Sequence, residues 1–253
     1  MLNNKGIAIS GILYAALILF MTLMLGILVM ATSRKVLLDK EKIDILKELE
    51  GSEIISETSG FVCGEDLVDS RDTEEYETVQ IGNQCWMAED LRYECSNFHD
   101  VGEEDIDWSG QKDACAPGGY GSMLYQWGAV MDWDGTGEPP EESSQGLCPI
   151  GWHIPSDEEW TILTDYVGSS PGTKLKSSEY WNGDDNFGFN ALPAGYRNNS
   201  GSLNDVGSNG YWWTSSPFGS NAWDRILYSG YSDVGRYDNS QADGRSVRCL
   251  LGQ

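Results

Sequence analysis

Cys148-Pro-Ile-Gly-Trp-His-Ile-Pro-Ser-Asp-Glu-Glu-Trp160 is the stretch from which the rest of the chain is read. Its Gly151-Trp-His-Ile-Pro155 portion is a short strand that hands over to a helix. Ser156 and Glu159 have the S-x-x-E spacing of a capping box: the Ser side chain accepts from the third backbone N–H while the Glu reaches back to the cap. Pro155 stands just before the cap. Trp160, Leu163 and Val167 then recur on one helical face, so a capped helix with a buried stripe starts here.

Working outward, the other signals are shorter. Thr78-Val-Gln-Ile-Gly82 alternates as a strand, and Gln84-Cys-Trp-Met-Ala88 is its hairpin partner. Met123 to Met131 is expected to be a short buried helix. After Asn186 the chain turns to strands and loops, at Phe187–Phe189, Tyr211–Ser216, Arg225–Tyr228 and Arg245–Leu250. With 10 Trp, 12 Tyr and 30 Gly, and many Gly/Asn/Ser/Asp clusters, the expected texture is short strands and ordered loops pinned by aromatic rings. Residues 61–253 have the length of one domain with a real core.

Five phrases stand in order: Val79-Gln-Ile-Gly-Asn-Gln-Cys-Trp-Met-Ala-Glu-Asp-Leu91, the Cys148–Trp160 stretch, Phe187-Gly-Phe-Asn-Ala-Leu-Pro-Ala-Gly-Tyr-Arg197, Trp212-Trp-Thr-Ser-Ser216 and Gly244-Arg-Ser-Val-Arg-Cys249. Together they resemble the bacterial Fibrobacter succinogenes major paralogous domain family over residues 61–251. The resemblance implies a C-type-lectin-like fold, near the formylglycine-generating-enzyme branch, in a secreted or surface domain without an assigned activity. The expected class is therefore α+β, a disulfide-stapled lectin-like head behind a long N-terminal helix. Fold likeness of this kind carries no function by itself.

Six cysteines allow 15 pairings. The resemblance implies Cys148 with Cys249, joining the first and last core strands. Proximity in sequence favours Cys63 with Cys85 and Cys95 with Cys115, each closing a loop of roughly 20 residues worth ~3 kcal/mol. Zinc is disfavoured, since there is no C-x2-C spacing and the two histidines, His99 and His153, lie far apart. His153 is read as a buried structural imidazole at the strand–helix junction. The formylglycine-generating chemistry needs a reactive cysteine pair late in the domain, and only Cys249 lies beyond Cys148. No acid–base or nucleophile constellation emerges, so no enzyme is expected.

The N-terminus carries a second resemblance. Gly6 to Ser33 is an uncharged, mostly apolar run of 28 residues between Lys5 and Arg34. A transmembrane helix needs roughly 20 such residues. Asn3-Asn4-Lys5-Gly6 followed by Ile7 resembles the leader of type IV prepilins, cut after the glycine by a prepilin peptidase. Residues 36–49 continue without Gly or Pro and with apolar positions near one face. The expected organisation is a leader at 1–6, a transmembrane and stalk helix at 7–50, a polar linker at 51–60, and the head at 61–253. Gly11 stands where pilins usually carry a Glu that pairs with a neighbouring N-terminus. A plain signal anchor, or a signal cleaved near Val29-Met30-Ala31, are the other readings of the same run.

The chain has net charge −24, while residues 1–50 hold six Lys/Arg and five Asp/Glu, so the head is the acidic part. Such a field repels nucleic acid and anionic lipid, and suits a solubilising shell. The one calcium candidate is Asp132, Asp134 and Thr136 before Gly137, with Ser143 where an EF-type loop needs a bidentate Glu. Tyr211–Trp213 and Trp223 are candidates for stacking on a sugar ring, with strand alternation placing one of Trp212 and Trp213 in the core and one outside. The function expected is a membrane-anchored, extracellular, non-enzymatic recognition or adhesion head. It is pilin-like or pseudopilin-like, with pilus or secretion assembly subunits and a surface glycan or protein as partners. The alternative is a signal-anchored surface domain outside any filament. If the acidity is only a shell, thermal melting with millimolar calcium, magnesium or matched sodium chloride shifts Tm equally at equal ionic strength. A calcium-specific shift lost in Asp134→Ala overturns that expectation.

Overall fold

Leu67–Val68 (β1) pairs with Glu75–Tyr76 (β2), and Thr78–Ile81 (β3) with Gln84–Met87 (β4), both antiparallel. The second pair turns through Gly82, whose φ of +64° suits glycine; a Cβ there would stand 2.9 Å from the Tyr166 ring. This is the hairpin read from the sequence. Cys115–Pro117 (β5) then pairs with Met123–Tyr125 (β6), and Trp127–Met131 (α1) follows with all five residues buried. The expected helix over 123–131 is thus half strand, half helix. The computed structural model describes residues 61–94, 115–132 and 138–252, and the compact unit containing them runs Phe61–Gln253.

Trp152–His153 (β7) leads into Asp157–Val167 (α2), and here local sequence logic holds in full. Both arms of the Ser156–Glu159 capping box form, three acidic residues occupy the first turn, and Trp160, Leu163 and Val167 are the buried residues. Gly168 at φ +73° ends the helix, and Pro171–Leu175 (α3) follows after Ser170. Next come Tyr196–Arg197 (β8) paired with Leu203–Asn204 (β9), then Asn209–Phe218 (β10), Asn221–Tyr228 (β11), Val234–Ser240 (β12) and Leu250–Leu251 (β13). The larger sheets have strand orders β3-β4-β13-β7 and β10-β11-β12.

The strand β10 separates two hydrophobic clusters. Trp213 packs with Trp127, Tyr125, Cys148 and Val247 in one, and Trp212 with Trp86, Trp160 and Phe189 in the other. Alternation was expected to leave one indole outside. Both are fully buried, because β10 has a core on each face. Past Trp213 the β10–β11 register shifts, and the Thr214-Ser215-Ser216 segment folds over the start of α2. Ser216 Oγ accepts from Asp157 N at 3.0 Å, and Ser215 N donates to Pro155 O at 2.9 Å.

The segment from Gly244 to Gly252 is the seam that joins these parts. It exchanges backbone hydrogen bonds in turn with Arg197, Tyr125, Tyr211, Trp213, Leu91, Met87 and Gly151. Only two of its residues form a strand, since it changes partner at almost every step. Inside it, Arg248 is fully buried. Its Nε and Nη2 donate to Asp90 Oδ1 at 3.1 and 2.6 Å, and Nη1 donates to Phe189 O. Asp90 also accepts from Trp212 Nε1 at 2.8 Å and Ser122 Oγ at 2.9 Å.

The expected α+β class with a long stalk helix is corrected. The described residues form mostly small β-sheets with three helices of five, eleven and five residues. Asp132 in the left-handed conformation ends α1, Gly168 at positive φ ends α2, and extended backbone at Lys176 ends α3, so each helix is short. Among the described residues no helix is long and apolar enough to cross a membrane. The expected leader with Gly6 and Ile7, the helix at 7–50 and the linker at 51–60 lie outside the described residues. The lectin-like arrangement implied by the resemblance is not shown by this topology.

Two measurements test these forces. Asp90→Ala strands the buried Arg248 guanidinium and should cost about 3–5 kcal/mol in urea unfolding, far more than a surface Asp→Ala. Glu159 is partly desolvated, which disfavours its charge. Hydrogen bonds from His153, the Ser156 backbone and Ser143 outweigh this and hold its carboxyl at about 2, below the ordinary 4.5. A depressed carboxylate contributes stability above pH 4.5 that is lost as pH falls toward 2. That is about 2–3 kcal/mol after allowing for partial exposure. Glu159→Gln should flatten the stability–pH curve over that window, with the two proteins converging at the acid end.

Candidate functional site

The register of the three-stranded sheet sorts its side chains into two faces. Asp224 faces Tyr237, while Ile226 faces both Tyr211 on one side and Gly235 on the other. With the two-residue period of a strand, Tyr228 belongs to this same face. Tyr196 of β8 stacks on Tyr211 with ring centroids 4.8 Å apart. One side of the sheet therefore carries a row of tyrosines, grading from Tyr211, almost buried, to Tyr237, half exposed. Beneath it Arg245, itself buried, lies near the rings of Trp213, Tyr196 and Tyr211 and donates to Asp224. Burial pushes the Asp224 carboxyl up, and Arg245 opposes that push.

At the free side of β12 the row opens into a cleft of about 390 Å3, lined by Tyr228, Tyr231, Asp233, Val234, Gly235 and Tyr237. Tyr228 and Tyr231 meet edge to face, with centroids 5.5 Å apart and planes at 72°. Gly235 makes the floor: a Cβ there would lie 2.7 Å from the Tyr237 ring and 3.3 Å from that of Tyr228. Lys176, 2% exposed, braces the turn from below by donating from Nζ to the carbonyls of Tyr228 at 2.9 Å and Tyr231 at 3.0 Å. Burial depresses that lysine's pKa. Burial, and a hydrogen bond shared with Tyr237, push the Tyr228 hydroxyl up to about 12, so it stays neutral. Two rings inclined at 72° beside an exposed carboxylate line a concave surface of a size that a small ligand could enter.

The residues singled out in the sequence lie elsewhere. Disulfides join Cys63 to Cys85 and Cys148 to Cys249; Cys115 is disulfide-bonded too, and Cys95 lies outside the described residues. Asp132 is an exposed residue capping α1, while Asp134 and Thr136 lie outside the described residues. Among the described residues no group of three or more His, Cys, Asp or Glu is placed to hold a metal ion. His153 lies in β7 with Nε2 2.9 Å from Glu159 Oε1. The hydroxyls of Ser143 and Ser156 donate to the other Glu159 oxygen, each at 2.9 Å. The cluster is thus an enlarged helix cap rather than a nucleophile–base pair. Trp223 is half-buried under the Arg236 guanidinium, 3.5 Å from its ring centroid, and touches Phe218. Of the aromatic candidates, Tyr211 joins the tyrosine row. The cleft residues Tyr228, Tyr231 and Tyr237 were not singled out. Their signal is three tyrosines around the polar Ser229-Gly230 and Ser232-Asp233 turn, where a hydrophobic strand has no need of them.

The family model described as the Fibrobacter succinogenes major domain matches residues 79–250. No curated protein and no solved structure matches the chain. The matched span holds the β3–β4 hairpin, the capped helix, the tyrosine-bearing sheet and both arginines of the seam, and the chain belongs to the Fibrobacter succinogenes major domain family.

Proposed function

We propose that this is a non-enzymatic recognition domain displayed outside the cytoplasm and tethered at a membrane by its pilin-like N-terminal segment. The cleft at the free side of β12 carries the reading: it presents rings and a carboxylate to solvent, and the Tyr228 hydroxyl shares its hydrogen bond with Tyr237. The disulfides fit an oxidising compartment. The uncharged run from Gly6 to Ser33, entered directly from Lys5, supports a membrane tether processed after Gly6. In this reading the prepilin peptidase and pilus or secretion assembly subunits are partners of the N-terminal segment, and the head meets a surface ligand.

Intact-mass analysis of the protein from its native envelope, together with labelling of whole cells by a membrane-impermeant reagent, tests this. A mature N-terminus at Ile7 and a labelled head are expected. A start at Met1 with a labelled head replaces the pilin-like tether by a signal anchor, and a start beyond Ala31 removes the tether. A head labelled only after lysis overturns display outside the cytoplasm.

A further inference from the structure

We infer that the cleft formed by Tyr228, Tyr231 and Tyr237 with Asp233 binds an alkylammonium head group, a small organic cation. The inference rests on the recognition reading above and names its ligand class. Tyr228 and Tyr231 stand as two walls of a box, 5.5 Å apart and inclined at 72°. A cation in such a corner meets the electron-rich face of one ring and lies within reach of the others. Tyr237 supplies the third ring, drawn in across Gly235, where a side chain would stand 2.7 Å from it. The volume, about 390 Å3, lies in the range of roughly 300–1,000 Å3 that small ligands occupy.

Charge selects the sign of the ligand. Asp233 is exposed, lines the cleft and makes no ion pair among the described residues, leaving its carboxylate uncompensated. The chain as a whole, at −24, concentrates cations near its surface and repels anions. The protein's own nearby cation does not fill the box: Lys176 Nζ is committed to the carbonyls of Tyr228 and Tyr231 and lies 5.4 Å from the Trp181 ring centroid. Burial and its Tyr237 neighbour push the Tyr228 hydroxyl up, so this ring acts through its face rather than as a phenolate. A neutral ligand would leave the Asp233 charge unanswered, and an anionic one would be repelled by it.

Titration calorimetry of the disulfide-intact full chain in mild detergent provides the test, with choline and its neutral isostere 3,3-dimethylbutan-1-ol as probes. Choline should bind at least tenfold more tightly than the isostere. Tyr231→Ala should weaken choline about tenfold, and Asp233→Asn should weaken it several-fold. Tyr231 is 69% exposed, so its truncation leaves the fold intact, which an unchanged Tm verifies. A peptide with an acetylated N-terminus and a single free lysine side chain, run alongside, separates a free quaternary amine from a side-chain amine as the source of the head group. Equal binding of choline and isostere overturns the inference in favour of an apolar cleft. Binding of neutral oligosaccharides without choline overturns it in favour of a glycan site. Loss of choline binding with the head still exposed on cells would sink this inference alone and leave the recognition reading standing.

Discussion

The buried charge of Arg248 is the constraint on which the rest of the described domain depends. Removing a guanidinium from water costs several kcal/mol, recovered only when every donor finds a well-placed acceptor. Here the acceptors are Asp90 and the carbonyl of Phe189, with the Phe189 ring 4.3 Å from the guanidinium carbon. Asp90 needs its own partners, and takes them from Ser122 and Trp212. Five segments far apart in the chain, around Asp90, Ser122, Phe189, Trp212 and Arg248, must therefore arrive together. A slipped C-terminal segment would leave an unpaired charge in the core, so the network penalises wrong registers more than it rewards the right one.

The same segment carries a second buried pair and a covalent bond. Arg245 meets Asp224 in the three-stranded sheet, and Cys249 is tied to Cys148 across 101 residues. These links matter because regular structure is sparse: outside the three-stranded sheet the described strands run two to four residues, and the seam has almost no ladder of its own. Where hydrogen-bond ladders are short, cooperativity comes from cross-links and packed aromatics instead. Trp86, Trp160, Phe189 and Trp212 form such a stack on one side of β10.

This interior also decides what the surface presents. Arg245 lies under Tyr196 and Tyr211, and Lys176 holds the carbonyls of Tyr228 and Tyr231, so the tyrosine face is positioned by buried cations. The rings at its outer edge are exposed while their backbone is fixed from below. A rigid turn bearing exposed aromatic side chains loses little conformational entropy on meeting a ligand, which is the physical advantage of building a site there.

Local signals in the chain determined the elements whose stability is local. Ser156, Glu159 and the Trp160–Leu163–Val167 stripe specify a capped helix without help from distant residues, and Val79 to Met87 specify a hairpin by alternation and a Gly-bearing turn. The five family phrases were legible for the same reason, being short runs of adjacent residues. Tertiary structure alone decided the rest. Whether Trp212 or Trp213 faced solvent depended on a second core that no period in β10 encodes. The partners of Arg245 and Arg248 lie 21 and 158 residues away, so nothing local announces that these charges are buried. The cleft exists because β11 and β12 set Tyr228 and Tyr237 across Gly235 while Lys176, from another part of the chain, fixes the turn between them. Sequence order records which tyrosines exist; only the pairing of strands determines which of their faces meet.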